Sequence, residues 1–261
     1  MRYTLLIMTL LFSYATFAAL RTETIEYRAG NTRLKGYLAW DDTKGAQQPG
    51  VLVVHEWWGL NDYARKRAEM LAGLGYTAMA LDLYGDGRHT EHAKDAAAFM
   101  NSLAASPSAI RQRFEAAKQL LSHRPQVNPG KIAAIGYCFG GATVLNMARL
   151  GLDLAAVVSF HGNLTTQTPA RPGQIKAKIL VLNGADDSFV TADSILAFKQ
   201  EMTAAGADYQ FINYPGALHG FTNPDADRMA KRNGLPLAYN AEADKQSWLA
   251  MQALFAQVLH P

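Results

Sequence analysis

Three side chains far apart in a 261-residue chain have the types and the order that covalent catalysis at a carbonyl carbon demands: Cys138, Asp187 and His219. A thiol with its ordinary pKa of about 8.5 is only a few per cent ionised at neutral pH, so it needs a base to take its proton and an acid to orient that base. Cys138 stands in Gly136-Tyr137-Cys138-Phe139-Gly140-Gly141, between the apolar run Lys131–Ile135 and an apolar helical stretch. That context predicts a tight strand-to-helix turn with the thiol at its apex. Glycines two positions either side remove side chains that would collide as the turn closes, and the helix N-terminus behind the sulfur favours thiolate.

The acid and the base are sought downstream, after two further strands. Ile179–Leu182 runs into Asn183-Gly184-Ala185-Asp186-Asp187, which puts an acidic pair just past a strand; Asp187 is the choice and Asp186 the reserve. Of seven histidines, His219 alone follows both residues from a loop, Tyr214-Pro215-Gly216-Ala217-Leu218-His219-Gly220, where glycine leaves it free to swing onto the thiol.

A second motif, Val54-His55-Glu56-Trp57-Trp58-Gly59-Leu60-Asn61, ends a buried strand beside the turn. Backbone N–H groups of Trp57 and Phe139 are the candidates for an oxyanion hole. Glu56 needs a partner at the end of such a strand: an ordinary Lys or Arg, or the thiol itself, whose ionisation it would then control. His161, at the end of Leu154–Ser159, is expected either to touch substrate or to serve a structural role, and Trp58, Tyr84 and Phe221 either to wall the site with Trp57 and Phe139 or to pack in the core.

The elements that must position these groups alternate. Thr22–Arg28 and Thr32–Ala39 read as an opening hairpin around Ala29-Gly30-Asn31. Apolar runs at Gly50–His55, Thr77–Leu81, Lys131–Gly136, Leu154–Ser159, Ala177–Leu182 and Tyr209–Tyr214 read as buried strands. Helices are predicted over Asp62–Leu74, Glu91–Leu103, Pro107–Leu121, Gly140–Leu150, from the Thr191 cap to Ala205, and Ala241–Leu259. Strands alternating with helices imply an α/β fold, a mostly parallel sheet with helices on both faces. Asn223–Leu237 is polar and reads as a surface excursion near the site. No linker divides residues 20–261, so one domain is expected.

Residues 1–19 differ from the rest: Arg2, the apolar Leu5–Phe12, then small residues to Ala18 and Ala19. This is the pattern of a signal peptide cut after Ala18 or Ala19, which predicts an exported, periplasmic or secreted chain without stable membrane association. The net charge of +3, or +2 without Arg2, is scattered, and no nucleic-acid partner is implied. His and acidic residues lack metal-ligand spacing and no phosphate loop or dinucleotide fingerprint occurs, so neither metal nor cofactor is expected. One cysteine excludes an internal disulfide.

From Thr22 to Leu259 the sequence resembles the dienelactone hydrolase family of α/β-hydrolases. The resemblance is carried by His55-Glu56-Trp57-Trp58-Gly59, Leu81-Asp82-Leu83-Tyr84-Gly85, Gly136–Gly141, Gly184–Val190 and His219-Gly220-Phe221. It implies a Cys138–Asp187–His219 triad acting on a small ester or lactone, with Asp187 marked as the acid by the Phe189-Val190 that follows. It also implies that Glu56 holds the resting thiol and takes its proton when substrate arrives. The family's type enzyme binds its substrate's carboxylate with arginines, one of them four residues after the triad histidine; that position here is Asn223. Two other readings fit the same residues: a thiol acyltransferase or peptidase, and a catalytically silent small-molecule binding module.

Overall fold

A computed structural model describes residues 20–259; the expected leader, residues 1–19, lies outside the described residues. Eight strands form one sheet in the order β1-β2-β4-β3-β5-β6-β7-β8. β1 (Leu20–Ala29) and β2 (Thr32–Asp41) make the antiparallel hairpin, which meets β4 (Thr77–Leu81) antiparallel. β3 (Gln48–Val54), β4, β5 (Val127–Tyr137), β6 (Ala156–Phe160), β7 (Lys178–Gly184) and β8 (Tyr209–Tyr214) run parallel.

The apolar runs carry side chains alternately to the two faces, and each face has its own core. Leu52, Val54, Met79 and Leu81 point to the face covered by α3 (Pro107–Ser122), α4 (Phe139–Arg149) and α5 (Ala192–Ala205), where they join Phe114, Val144 and Phe198. Val51, Val53, Ala78 and Ala80 point to the other, covered by α1 (Asp62–Gly73) and α7 (Ala241–Val258) with Leu71 and Phe255. Burial on both faces is why these strands read as continuous apolar runs.

Two expectations shift. α2 (Ala93–Ala104) begins two residues later than Glu91, because its first N–H is capped from elsewhere: Ala93 N–H donates to Asn233 Oδ1 at 2.8 Å, while His92 makes no side-chain cap. The stretch read as a surface excursion contains a helix, α6 (Ala226–Asn233), stopped by Gly234 in the left-handed region. Ion pairs from Arg228 and Arg232 to Glu91 tie α6 to the loop before α2.

Candidate active site

The carboxyl ends of β3, β5, β7 and β8 bring the chemistry together, as expected for an open parallel sheet. Cys138 follows β5 directly and caps α4 with φ 54° and ψ −117°, a conformation that L residues avoid. The turn tolerates it only because nothing crowds it: a Cβ on Gly136 would lie 2.1 Å from the Gly140 carbonyl oxygen, and one on Gly140 would lie 2.3 Å from that of Val54. The sulfur is half-buried at the floor of a cavity of about 280 Å³.

His219 reaches that cavity from the loop after β8. Its Nδ1 donates to Asp187 Oδ2 at 2.8 Å, and Asp187 Oδ1 accepts the Phe189 N–H at 2.9 Å. The Cys138 sulfur lies close enough to the imidazole to act on its charge. Burial opposes charge on this ring, but the sulfur and the Asp187 carboxylate outweigh it and raise His219 to about 10. The imidazole is therefore held toward its charged form. Asp186, the reserve acid, is exposed and stands apart from this contact.

Glu56 is buried, and its carboxylate accepts the Asn223 Nδ2–H at 2.7 Å rather than bonding the thiol. Burial raises its pKa to about 7, offset in part by the amide of Asn223 and the charges of His219 and Arg67. The Asp225 N–H donates to Asn223 Oδ1 at 2.9 Å, which fixes the amide. Glu56, Cys138 and His219 share the wall of a narrow recess beside the main cavity.

Of the aromatic residues expected at the wall, Trp57 and Phe139 line the cavity. The others do not. Trp58 packs with Ala96 and Met229, Phe221 is fully buried beside His161, and the Tyr84 hydroxyl donates to the Trp57 carbonyl at 2.9 Å, holding that loop from behind. His161 is also fully buried: its Nδ1 accepts the Cys138 N–H at 3.1 Å and its Nε2 meets Thr222 Oγ1 at 2.8 Å. It supports the turn from beneath rather than facing substrate.

Phe189, Met100, Asn163, Leu235 and Leu237 complete the cavity, and sequence reading did not single them out. Phe189 carried a signal, since it comes two residues after the acid; it is a large apolar side chain left 48% exposed, edge-on to His219 at 4.9 Å. Leu235 and Leu237 sit just beyond α6, where polar composition hid them.

The model of the dienelactone hydrolase family matches residues 34–259. The chain belongs to the dienelactone hydrolase family. Membership makes it a hydrolase of the ester and lactone class with the α/β-hydrolase fold. Two solved dienelactone hydrolase relatives align with 92% of the chain and 99% of their own. One, a dienelactone hydrolase-like promiscuous phosphotriesterase named P91, from metagenomic libraries, is 38% identical with a TM-score of 0.85. The other, m3DLH, is 41% identical with a TM-score of 0.86. A candidate carboxymethylenebutenolidase of Synechocystis sp. is 27% identical over 90% of this chain and 96% of its own length. Among the described residues no cluster of three or more His, Cys, Asp or Glu could hold a metal, and no helix is long and apolar enough to cross a membrane.

Proposed function

We propose that this member of the dienelactone hydrolase family cleaves small esters or lactones through the Cys138 thiolate, with His219 as acid and base and Asp187 as its orienting acid. The reading is supported above all by one observation: a single imidazole bonds Asp187 through Nδ1 and shares the cavity with the Cys138 sulfur, whose charge acts on it. The thiolate attacks the carbonyl carbon and forms a C–S bond, while the carbonyl oxygen takes negative charge. Phe139 supplies an N–H from the first turn of α4, where helix amides have no partner within the helix, and the Trp57 N–H faces it across the cavity mouth in this proposal. Collapse breaks the C–O bond as His219 gives its proton to the leaving oxygen. Water then attacks the thioester, His219 accepts its proton, and breaking the C–S bond restores the thiolate.

Glu56 controls the thiol through charge in this scheme. With a pKa near 7 it changes charge within the working range, in the recess it shares with Cys138 and His219. Alkylation of Cys138 by iodoacetamide should therefore show a step about pH 7 that Glu56→Gln removes. Residues 1–19 are proposed to direct export, which would leave mature protein beginning near Leu20 by N-terminal sequencing.

The deciding experiment is intact-mass analysis during turnover of a phenyl ester. An acyl adduct on Cys138 that builds up in His219→Ala and is absent in folded Cys138→Ala is the expected result. Undiminished turnover by Cys138→Ala would sink the reading.

A further inference from the structure

The cavity over Cys138 holds two ionisable side chains, Cys138 and His219, and both are consumed by the reaction. The rest of its wall is mainly apolar, with Trp57, Met100, Phe189, Leu235 and Leu237 prominent. Apart from His219, no cationic side chain faces it among the described lining residues. The two arginines nearest in sequence or space are engaged elsewhere. Arg88 donates to the carbonyls of Tyr84 and Gly85, lies over the Phe99 ring at 5.2 Å and borders a separate cleft. Arg67 is buried, donating to the Thr222 carbonyl at 2.6 Å and to Asp244 at 2.5 Å. Asn223, four residues after the triad histidine, spends both ends of its amide, one on Glu56 and one on the Asp225 N–H.

A substrate carboxylate entering this cavity would lose water and find no guanidinium or ammonium partner, only the amide of Asn163 and the reacting His219, with Glu56 close by as a further negative charge at alkaline pH. An apolar chain would bury against the same wall and gain with each methylene. We propose that the site selects uncharged esters with an apolar substituent and discriminates against esters that carry a second, ionised carboxyl group. The inference rests on the hydrolase reading above and adds the substrate class to it. Asn223 is a specificity-determining residue on this account, because it ties up Glu56 without presenting a positive charge.

The test compares matched substrates on both sides of the scissile bond: phenyl hexanoate against monophenyl adipate, and hexyl acetate against 6-acetoxyhexanoate. The neutral member of at least one pair should have kcat/KM about 100-fold above its anionic partner, and lengthening the chain from butanoate to hexanoate should gain about 4-fold per methylene. Asn163→Arg, which puts a cation on the cavity wall, should narrow the neutral-to-anionic ratio at least tenfold. Ratios below 3-fold in both pairs, or no narrowing with that arginine, would overturn the proposal. Alkylation of Cys138 by N-hexyl iodoacetamide against 6-(iodoacetamido)hexanoate reads the same preference without turnover. A neutral preference there, with no ester hydrolysed, would retain the pocket's selectivity and sink only the reaction; equal alkylation rates with brisk Cys138-dependent hydrolysis would do the reverse.

Discussion

His161 and His219 flank the same cysteine with ring centroids 5.1 Å apart, and both are buried. His219 is raised to about 10, whereas His161 is held well below the ordinary histidine value. Burial pushes both imidazoles toward neutrality, so burial does not separate them. Their partners do. His219 has a carboxylate at one nitrogen and the sulfur at the other side. His161 faces a backbone N–H and a hydroxyl, and feels the positive charge of His219. Because Cys138 N–H donates to its Nδ1, the proton of His161 sits on Nε2 and points at Thr222 Oγ1, which in turn meets the Tyr63 hydroxyl at 2.6 Å. In the mechanism proposed above, one histidine carries protons while its neighbour accepts the backbone N–H of Cys138.

Breaking the first partnership should have the largest effect. His219→Ala is expected to lower kcat/KM for a phenyl ester about ten-thousandfold, since acid and base are lost together. Asp187→Asn keeps the shape but removes the charge that fixes the tautomer and supports the cation, at a cost of about a thousandfold. A direct reading is available by imidazole NMR: the His219 titration, raised in the wild type, should fall toward the ordinary range in that variant. His161→Ala should cost only about tenfold, in kcat rather than KM, because the turn loses an acceptor beneath Cys138 while the cavity wall is untouched. A thousandfold loss there, or a changed KM, would mean that the two histidines do not divide the work in this way.

The contrast between these histidines also marks what could be read from the residues alone. Cys138, Asp187 and His219 announced themselves through local patterns, strand then glycine-flanked turn, that place each at a strand's carboxyl end. The buried parallel strands and both helix layers follow from apolar runs, which report burial on two faces, whereas the order of the strands depends on pairings that no run encodes. His161 had the same local signature, a polar residue at the end of β6, yet its side chain turns inward because Thr222, sixty-one residues later, offers it a partner. Phe221 turns inward as well, and Trp58 lines the narrow recess with Cys138 and His219 rather than the main cavity: an aromatic ring after a strand says nothing about which side of the loop it covers. Glu56 needed a partner by its position, but that partner, Asn223, lies 167 residues away, and no local rule connects them.

Glu56 offers the finest test, because its pKa of about 7 arises chiefly from burial and not from a lost contact. The unfolded chain releases this proton near the ordinary value of 4.5, while the folded protein keeps it to about pH 7. Between those values the native state binds more protons than the unfolded state, so this group makes stability fall as pH rises. Glu56→Gln removes the ionisation and can still accept from Asn223 through its amide oxygen. Denaturant unfolding should find the variant and wild type alike below about pH 4.5, apart from a constant offset. Above pH 7 the variant should gain about 2 kcal/mol relative to that offset, a value kept below the full linkage because the site relaxes and water enters. A gain that does not depend on pH would show that the carboxyl is not the titrating group. It would leave the charge next to Cys138 to be set by the His219–Asp187 pair alone.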